Sequence, residues 1–226
     1  MKITYYGHAC FLIETQGKKL LFDPFISGNP LAKEVMINQI EADYIFLTHG
    51  HQDHVLDAEE IAKNTGATLI SNFEIVSWYQ NKGVEGHPMN HGGKYPFEFG
   101  TVKYVSAIHS SVLPDGTYGG NPGGFVVWNE EICVYLAGDT ALTYDVKLIP
   151  ELCPPLTLAV LPIGDNFTMG MEEAALAADY IACNTIVGCH FDTFPPIAID
   201  RQKVKAYFSE KNINLILPEI KEQLTF

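Results

Sequence analysis

Positive charge is scarce in this chain. Fourteen Lys and Arg stand against 27 Asp and Glu, for a formal net charge of −13. Arg201 supplies the sole guanidinium. Nucleic acid and anionic membrane surfaces are polyanions, so neither is the expected partner. Cysteine is also sparse: five residues, an odd count, with no CxxC pair. Cys10, Cys133, Cys153, Cys183 and Cys189 sit mostly among apolar neighbours and read as free thiols of a reducing cytosol. Long apolar runs are missing. Stretches such as TLAVLPIG are far too short to span a bilayer. The N-terminal MKITYYGHACFLIE has neither the apolar core nor the small-residue cleavage pattern of a signal peptide. A cytoplasmic protein without an integral membrane segment is expected. There is no GxGxxG after a strand and no Walker lysine, which removes the common nucleotide loops. Repeats, low-complexity tracts and dividing linkers are absent as well. What remains is 226 residues, 47% apolar, enough for one domain over residues 1–226. The oligomeric state, homo-oligomer included, is left open.

The apolar pattern changes along the chain. Strand-like runs at Lys2–Tyr6, Cys10–Glu14 and Lys19–Phe22 open it, the last two joined by the turn TQGKK. Asp43–Leu47 is another strand. Asp57 with Glu60 has the spacing of a capping box opening a helix that stops near Gly66. Ala67–Ser71 reads as a strand and Phe73–Asn81 as a helix. Strands follow at Thr101–Ile108, Gly124–Trp128 and Ile132–Ala137, with the Gly- and Pro-rich stretch SSVLPDGTYGGNPGG between the first two. Strands Leu156–Pro162, Thr185–Cys189 and Asn214–Leu217 then alternate with helices Glu172–Ala182 and Asp200–Glu210. The sum is an α/β chain of sheets covered by helices.

Three of the eight histidines fall within THGHQDH, residues 48–54. His49 and His51 are two apart, which puts both on one face of an extended segment. Asp53 and His54 can then turn toward a second position as a helix begins. Imidazole and carboxylate together suit zinc, manganese, iron and similar ions. Four ligands on one short loop cannot fill two metal shells. His109, Asp139 and His190 each end an apolar strand and enter a loop; singly they read equally as a surface histidine, an Asx-turn former and a backbone-bonded buried histidine, but their shared placement makes them candidates for the additional ligands.

THGHQDH, followed by His109, AGDT and His190, resembles the metallo-β-lactamase superfamily. GHACFLIE, LLFDPFIS, HPMNHGG and LPIGDNFTMG are similar to its small metal-dependent hydrolases. That subgroup is related to bacterial ascorbate-phosphate lactonases and to phosphodiesterases that cleave N-acyl phospholipids. The resemblance covers essentially the whole chain. It implies a four-layer αββα sandwich holding two divalent ions, zinc or manganese first, with iron or nickel as alternatives. By the same resemblance His49, His51 and His109 hold one ion, Asp53, His54 and His190 the other, and Asp139 bridges them. Asp23, in FDP, supports the ligands from behind.

The implied chemistry is hydrolysis of a small phosphodiester or lactone-type substrate by a hydroxide bridging the ions, with no Ser or Cys nucleophile. Asp53 orients that hydroxide or takes a proton. His8, in YYGHAC, is expected either to contact substrate or leaving group or to be a hydrogen-bonded structural histidine. Ser110, Asn166 and Thr193 are expected along the pocket; His91 with Asn90 either supports its wall or packs a surface loop. Two other classes compete. A metal-binding or metal-sensing protein would close the coordination shell with protein groups, whereas seven ligands for two ions leave room for water. A di-iron oxygen-binding member would need a fused flavin domain and more carboxylates.

Overall fold

The computed structural model describes every residue from Met1 to Phe226. In chain order the elements are strands β1 (Lys2–Gly7), β2 (Cys10–Thr15), β3 (Lys18–Phe22) and β4 (Tyr44–Phe46), the one-turn helix α1 (Gln52–Val55) and helix α2 (Ala58–Thr65). Next come β5 (Thr68–Asn72), α3 (Phe73–Gln80), β6 (Gly86–Met89), β7 (Lys94–Phe97), β8 (Gly100–Ser106), β9 (Gly123–Trp128) and β10 (Cys133–Leu136). The chain continues through α4 (Ile149–Leu152), β11 (Leu158–Pro162), α5 (Met171–Tyr180), β12 (Thr185–Cys189), α6 (Arg201–Glu210), β13 (Asn214–Ile216) and β14 (Gln223–Thr225). None of the helices is long and apolar enough to cross a membrane.

The chain forms two compact units, the first from 1–91, 110–122 and 219–226, the second from 92–109 and 123–218. Each holds one seven-stranded sheet, ordered β14-β1-β2-β3-β4-β5-β6 in the first and β13-β12-β11-β10-β9-β8-β7 in the second. In the first sheet the pairs from β14 through β3 are antiparallel, and those from β3 through β6 parallel. The second sheet repeats this: antiparallel from β7 through β10, parallel from β10 through β13. A topological repeat is thus present where the sequence shows none. Histidine follows β1 and β8 at matched positions (His8, His109), and aspartate follows β3 and β10 (Asp23, Asp139).

Burial explains the strands. Ile3 and Tyr5 on β1 alternate with more exposed neighbours, the signature of a half-buried antiparallel strand. CVYL of β10 and LAVLP of β11 are buried throughout, as expected where both faces of a sheet are covered. In the first unit α2 and α3 lay Ile61, Ile75, Val76 and Tyr79 against Leu21, Ile45, Leu47 and Leu69. In the second, α5 contributes four small buried residues, Ala174, Ala175, Ala177 and Ala178, and α6 contributes Val204 and Phe208. Burying a side chain the size of Phe208 contributes about 1.5–3 kcal/mol.

Three observed strands were not expected from sequence: β6, β7 and β14. All three are sheet edges. Pro88 and Pro96 lie in two of them, and proline is tolerated in a sheet chiefly at an edge. The capping box also needs correction. Asp57 precedes α2 but its side chain makes no cap bond. Its Oδ2 accepts instead from the backbone N–H of Ile26 (2.6 Å) and Ser27 (2.9 Å), and its Oδ1 from the Ser27 hydroxyl. The expected stop at Gly66 holds, with φ 75° at the helix end, a conformation glycine adopts without steric cost. The five cysteines are free, all but Cys153 buried.

Candidate functional site

In the first unit the sequence THGHQDH runs off β4 and into α1. His51 is extended (φ −65°, ψ 145°) and immediately precedes the helical turn that carries Asp53 and His54. The change of backbone conformation separates His49 and His51 from Asp53 and His54. His49 Nε2 and His51 Nδ1 lie 3.0 Å apart. One donor atom each of His8, Asp53 and His54 lies within 4.8 Å of the others.

Asp23 sets the protonation of this group. Its Oδ1 accepts from the Thr48 N–H (2.8 Å), and its Oδ2 from the Thr48 hydroxyl (2.7 Å) and His54 Nδ1–H (2.9 Å). A carboxylate only accepts, so each of these partners is the donor. The Thr48 hydroxyl has spent its one proton. Its contact of 3.0 Å with His49 Nδ1 therefore runs from the ring N–H to the oxygen. Both His49 and His54 are left with the lone pair on Nε2, the state a metal ligand requires. All three residues are buried: Asp23 is 2% exposed, His49 and His54 0%. Asp23 itself adopts φ 41°, a strained backbone for a non-glycine residue.

A loop of the same unit, residues 110–122, leans on the motif. Ser110 Oγ lies 3.3 Å from His51 Nε2. Gly50 N–H donates to Ser111 Oγ (3.0 Å), whose hydroxyl donates to the Gly119 carbonyl (2.9 Å). Buried Asn72 fastens the loop. Its amide donates to the carbonyls of Gly119 (2.7 Å) and Asn121 (3.3 Å), while its oxygen accepts from Ile75 N–H and caps α3. His91 Nε2 lies 2.9 Å from the Pro122 carbonyl, so His91 holds the loop's far end. Asn72→Ala should lower unfolding stability by about 2–4 kcal/mol, the sum of a lost cap and two abandoned carbonyls. A urea titration would show it as a lower midpoint at unchanged slope.

In the second unit, Asp139 follows β10 and is buried. The adjacent Thr140 Oγ1 accepts from Ile108 N–H (3.0 Å), and Ala141 N–H donates to the Ile108 carbonyl (3.0 Å). These bonds bring the ends of β8 and β10 together. His190 Nε2 lies 3.0 Å and His109 Nε2 3.6 Å from the same oxygen, Asp139 Oδ2. His190 (φ 54°) follows β12, and a Cβ on Gly164 would come within 2.0 Å of its carbonyl oxygen. Glycine is required there by the close approach of backbone.

The donor chemistry fits divalent ions: neutral imidazole nitrogens with a defined tautomer in one unit, two imidazoles on one carboxylate oxygen in the other. Of the residues expected along the pocket, Ser110 meets His51 as described. Asn166 (φ 54°) has its N–H on Asp165 Oδ1. Thr193 is buried with its hydroxyl 3.4 Å from the Phe191 carbonyl. Thr48, Asn72, Ser111, Thr140 and Gly164 were missed from sequence. Thr48 alone carried a signal, as the residue between the strand and the first candidate ligand. Burial pushes the Cys10 thiol well up, with the Asp23 and Asp57 carboxylates adding to the effect, so Cys10 is a core thiol and no nucleophile.

Known proteins resemble this chain in sequence and fold. The family described as "Beta-lactamase superfamily domain" matches residues 2–190. A UPF0173 metal-dependent hydrolase of Flavobacterium johnsoniae is 58% identical over 224 residues, 99% of each chain. One from Christiangramia forsetii is 57% identical over 225 residues, again 99% of each chain. Among solved structures, Igni18, a metallo hydrolase of the archaeon Ignicoccus hospitalis, is 35% identical, with TM-score 0.90 over 100% of this chain and 97% of its own. The isothiocyanate hydrolase from Delia radicum gut bacteria shares the fold at 21% identity, with TM-score 0.79 over 100% of this chain and 99% of its own. These matches bear out the α/β fold class expected from the sequence, and the chain belongs to the metallo-β-lactamase superfamily as a metal-dependent hydrolase.

Proposed function

We propose that His49, His51, Asp53, His54, His109, Asp139 and His190 serve one dinuclear centre that hydrolyses a small phosphodiester or lactone-type substrate. The observation that carries this reading is the Asp23 hub, which leaves the Nε2 lone pairs of His49 and His54 ready for a cation. Two divalent ions, zinc or manganese first, would supply Lewis acidity and a water acidified to near-neutral pKa. The protein's own part is orientation and proton handling. Asp23 and Thr48 hold the imidazoles in register. Ser110 steadies His51. Asp53, with its side chain 31% exposed, orients the attacking water or takes its proton.

Between the two substrate classes, the available positive charge favours the lactone. Arg201 Nε donates to Asp192 (2.9 Å) and its guanidinium lies over the Phe191 ring. The one side chain able to grip a phosphate bidentately is thus engaged elsewhere. The test is metal analysis of purified protein, then chelation, restoration of each ion, and a screen of lactones and phosphodiesters. Two ions per chain and hydrolysis returning with zinc or manganese are expected. Hydrolysis that survives complete metal removal would overturn the proposal.

A further inference from the structure

We propose that His8 joins Asp53 and His54 as a ligand of one ion, a metal ligand rather than a substrate contact. The inference rests on the metal-centre reading, and it adds to it an imidazole that the seven-ligand set leaves out.

Four observations support it. His8 is 1% exposed, so little of it is open to a substrate. Its Nε2 lies 3.2 Å from Asp53 Oδ2, and the donor atoms of all three residues fall within 4.8 Å of one another. The ring is fixed edge-on against Phe25 (centroids 5.5 Å) and His54 (5.4 Å). Finally, His8 sits at φ 56° with its carbonyl accepting from the Tyr5 hydroxyl (3.2 Å). A buried histidine in the left-handed region is held there against backbone preference, and such strain collects where a side chain must be aimed.

Imidazoles together with a carboxylate are a donor set that suits divalent ions such as manganese, iron and zinc.

The experiment uses the full-length protein, stripped of metal and reloaded with cobalt(II), with [15N]histidine labelling. Counting only ring nitrogens with the large through-bond contact shift of direct coordination, His49, His51, His54, His109 and His190 supply five such imidazoles under the seven-ligand reading, and His8 makes a sixth. Six shifted imidazoles are expected, and five would overturn the role of His8. His8→Asn gives a second readout, because asparagine tolerates the left-handed backbone and is a poor ligand for these ions. It should weaken one of the two bound ions by more than about 100-fold, beyond the usual effect of losing a supporting group. Two ions bound as in the parent protein would overturn the inference and leave the dinuclear reading standing. A parent protein that binds no ion would overturn both.

Discussion

Replacing Asp139 with alanine should cut metal-restored hydrolysis by about 1000-fold or more. The carboxylate stands against both His109 and His190, so its loss leaves two imidazoles of the second unit without their common partner. Lewis-acid stabilisation of a developing charge supplies several kcal/mol, and each 1.36 kcal/mol is a factor of ten in rate. Loss of about 4 kcal/mol therefore gives three orders of magnitude. The measurement is kcat/KM beside metal content on the same preparation. Near-parent activity with one ion or none bound would remove Asp139 from the reaction.

Asp23→Ala is expected to act on metal retention before it acts on chemistry. The carboxylate serves the Thr48 backbone, the Thr48 hydroxyl and His54, and through Thr48 it fixes His49. One truncation frees two imidazoles to change tautomer. Supporting groups of this kind typically contribute 10- to 100-fold in metal affinity, so a loss at or above the upper end is expected in a chelator competition. The fold should weaken as well, by about 3 kcal/mol, because buried donors lose their acceptor. Thr48→Val separates the two routes: it severs His49 and leaves the bond from His54 intact. Its affinity loss should be the smaller of the pair. Equal losses would argue against the hub.

Much of this was legible in the sequence, for identifiable reasons. Central strands such as β10 and β11 are buried on both faces, so they read as unbroken apolar runs. The proposed ligands lie at strand ends, where an apolar run stops at a histidine or aspartate. Asn72 and Gly164 were illegible because their importance comes from partners far along the chain, Gly119 and His190. Asp57 misled because an acceptor at a helix start normally bonds its own helix, whereas here a distant loop, Ile26 and Ser27, competes for the same oxygens. The edge strands β6, β7 and β14 were missed because edges carry prolines or polar residues that erase the alternation.

The strand β14 has a consequence for synthesis. It pairs with β1 through Lys2–Thr225, Ile3–Leu224 and Thr4–Gln223, so a strand made early waits for one made much later. While the ribosome is translating the second unit, β1 presents bare amides and carbonyls to its surroundings, an invitation to mispairing with other nascent chains. The opening sheet is sealed only after residue 225 has cleared the exit tunnel.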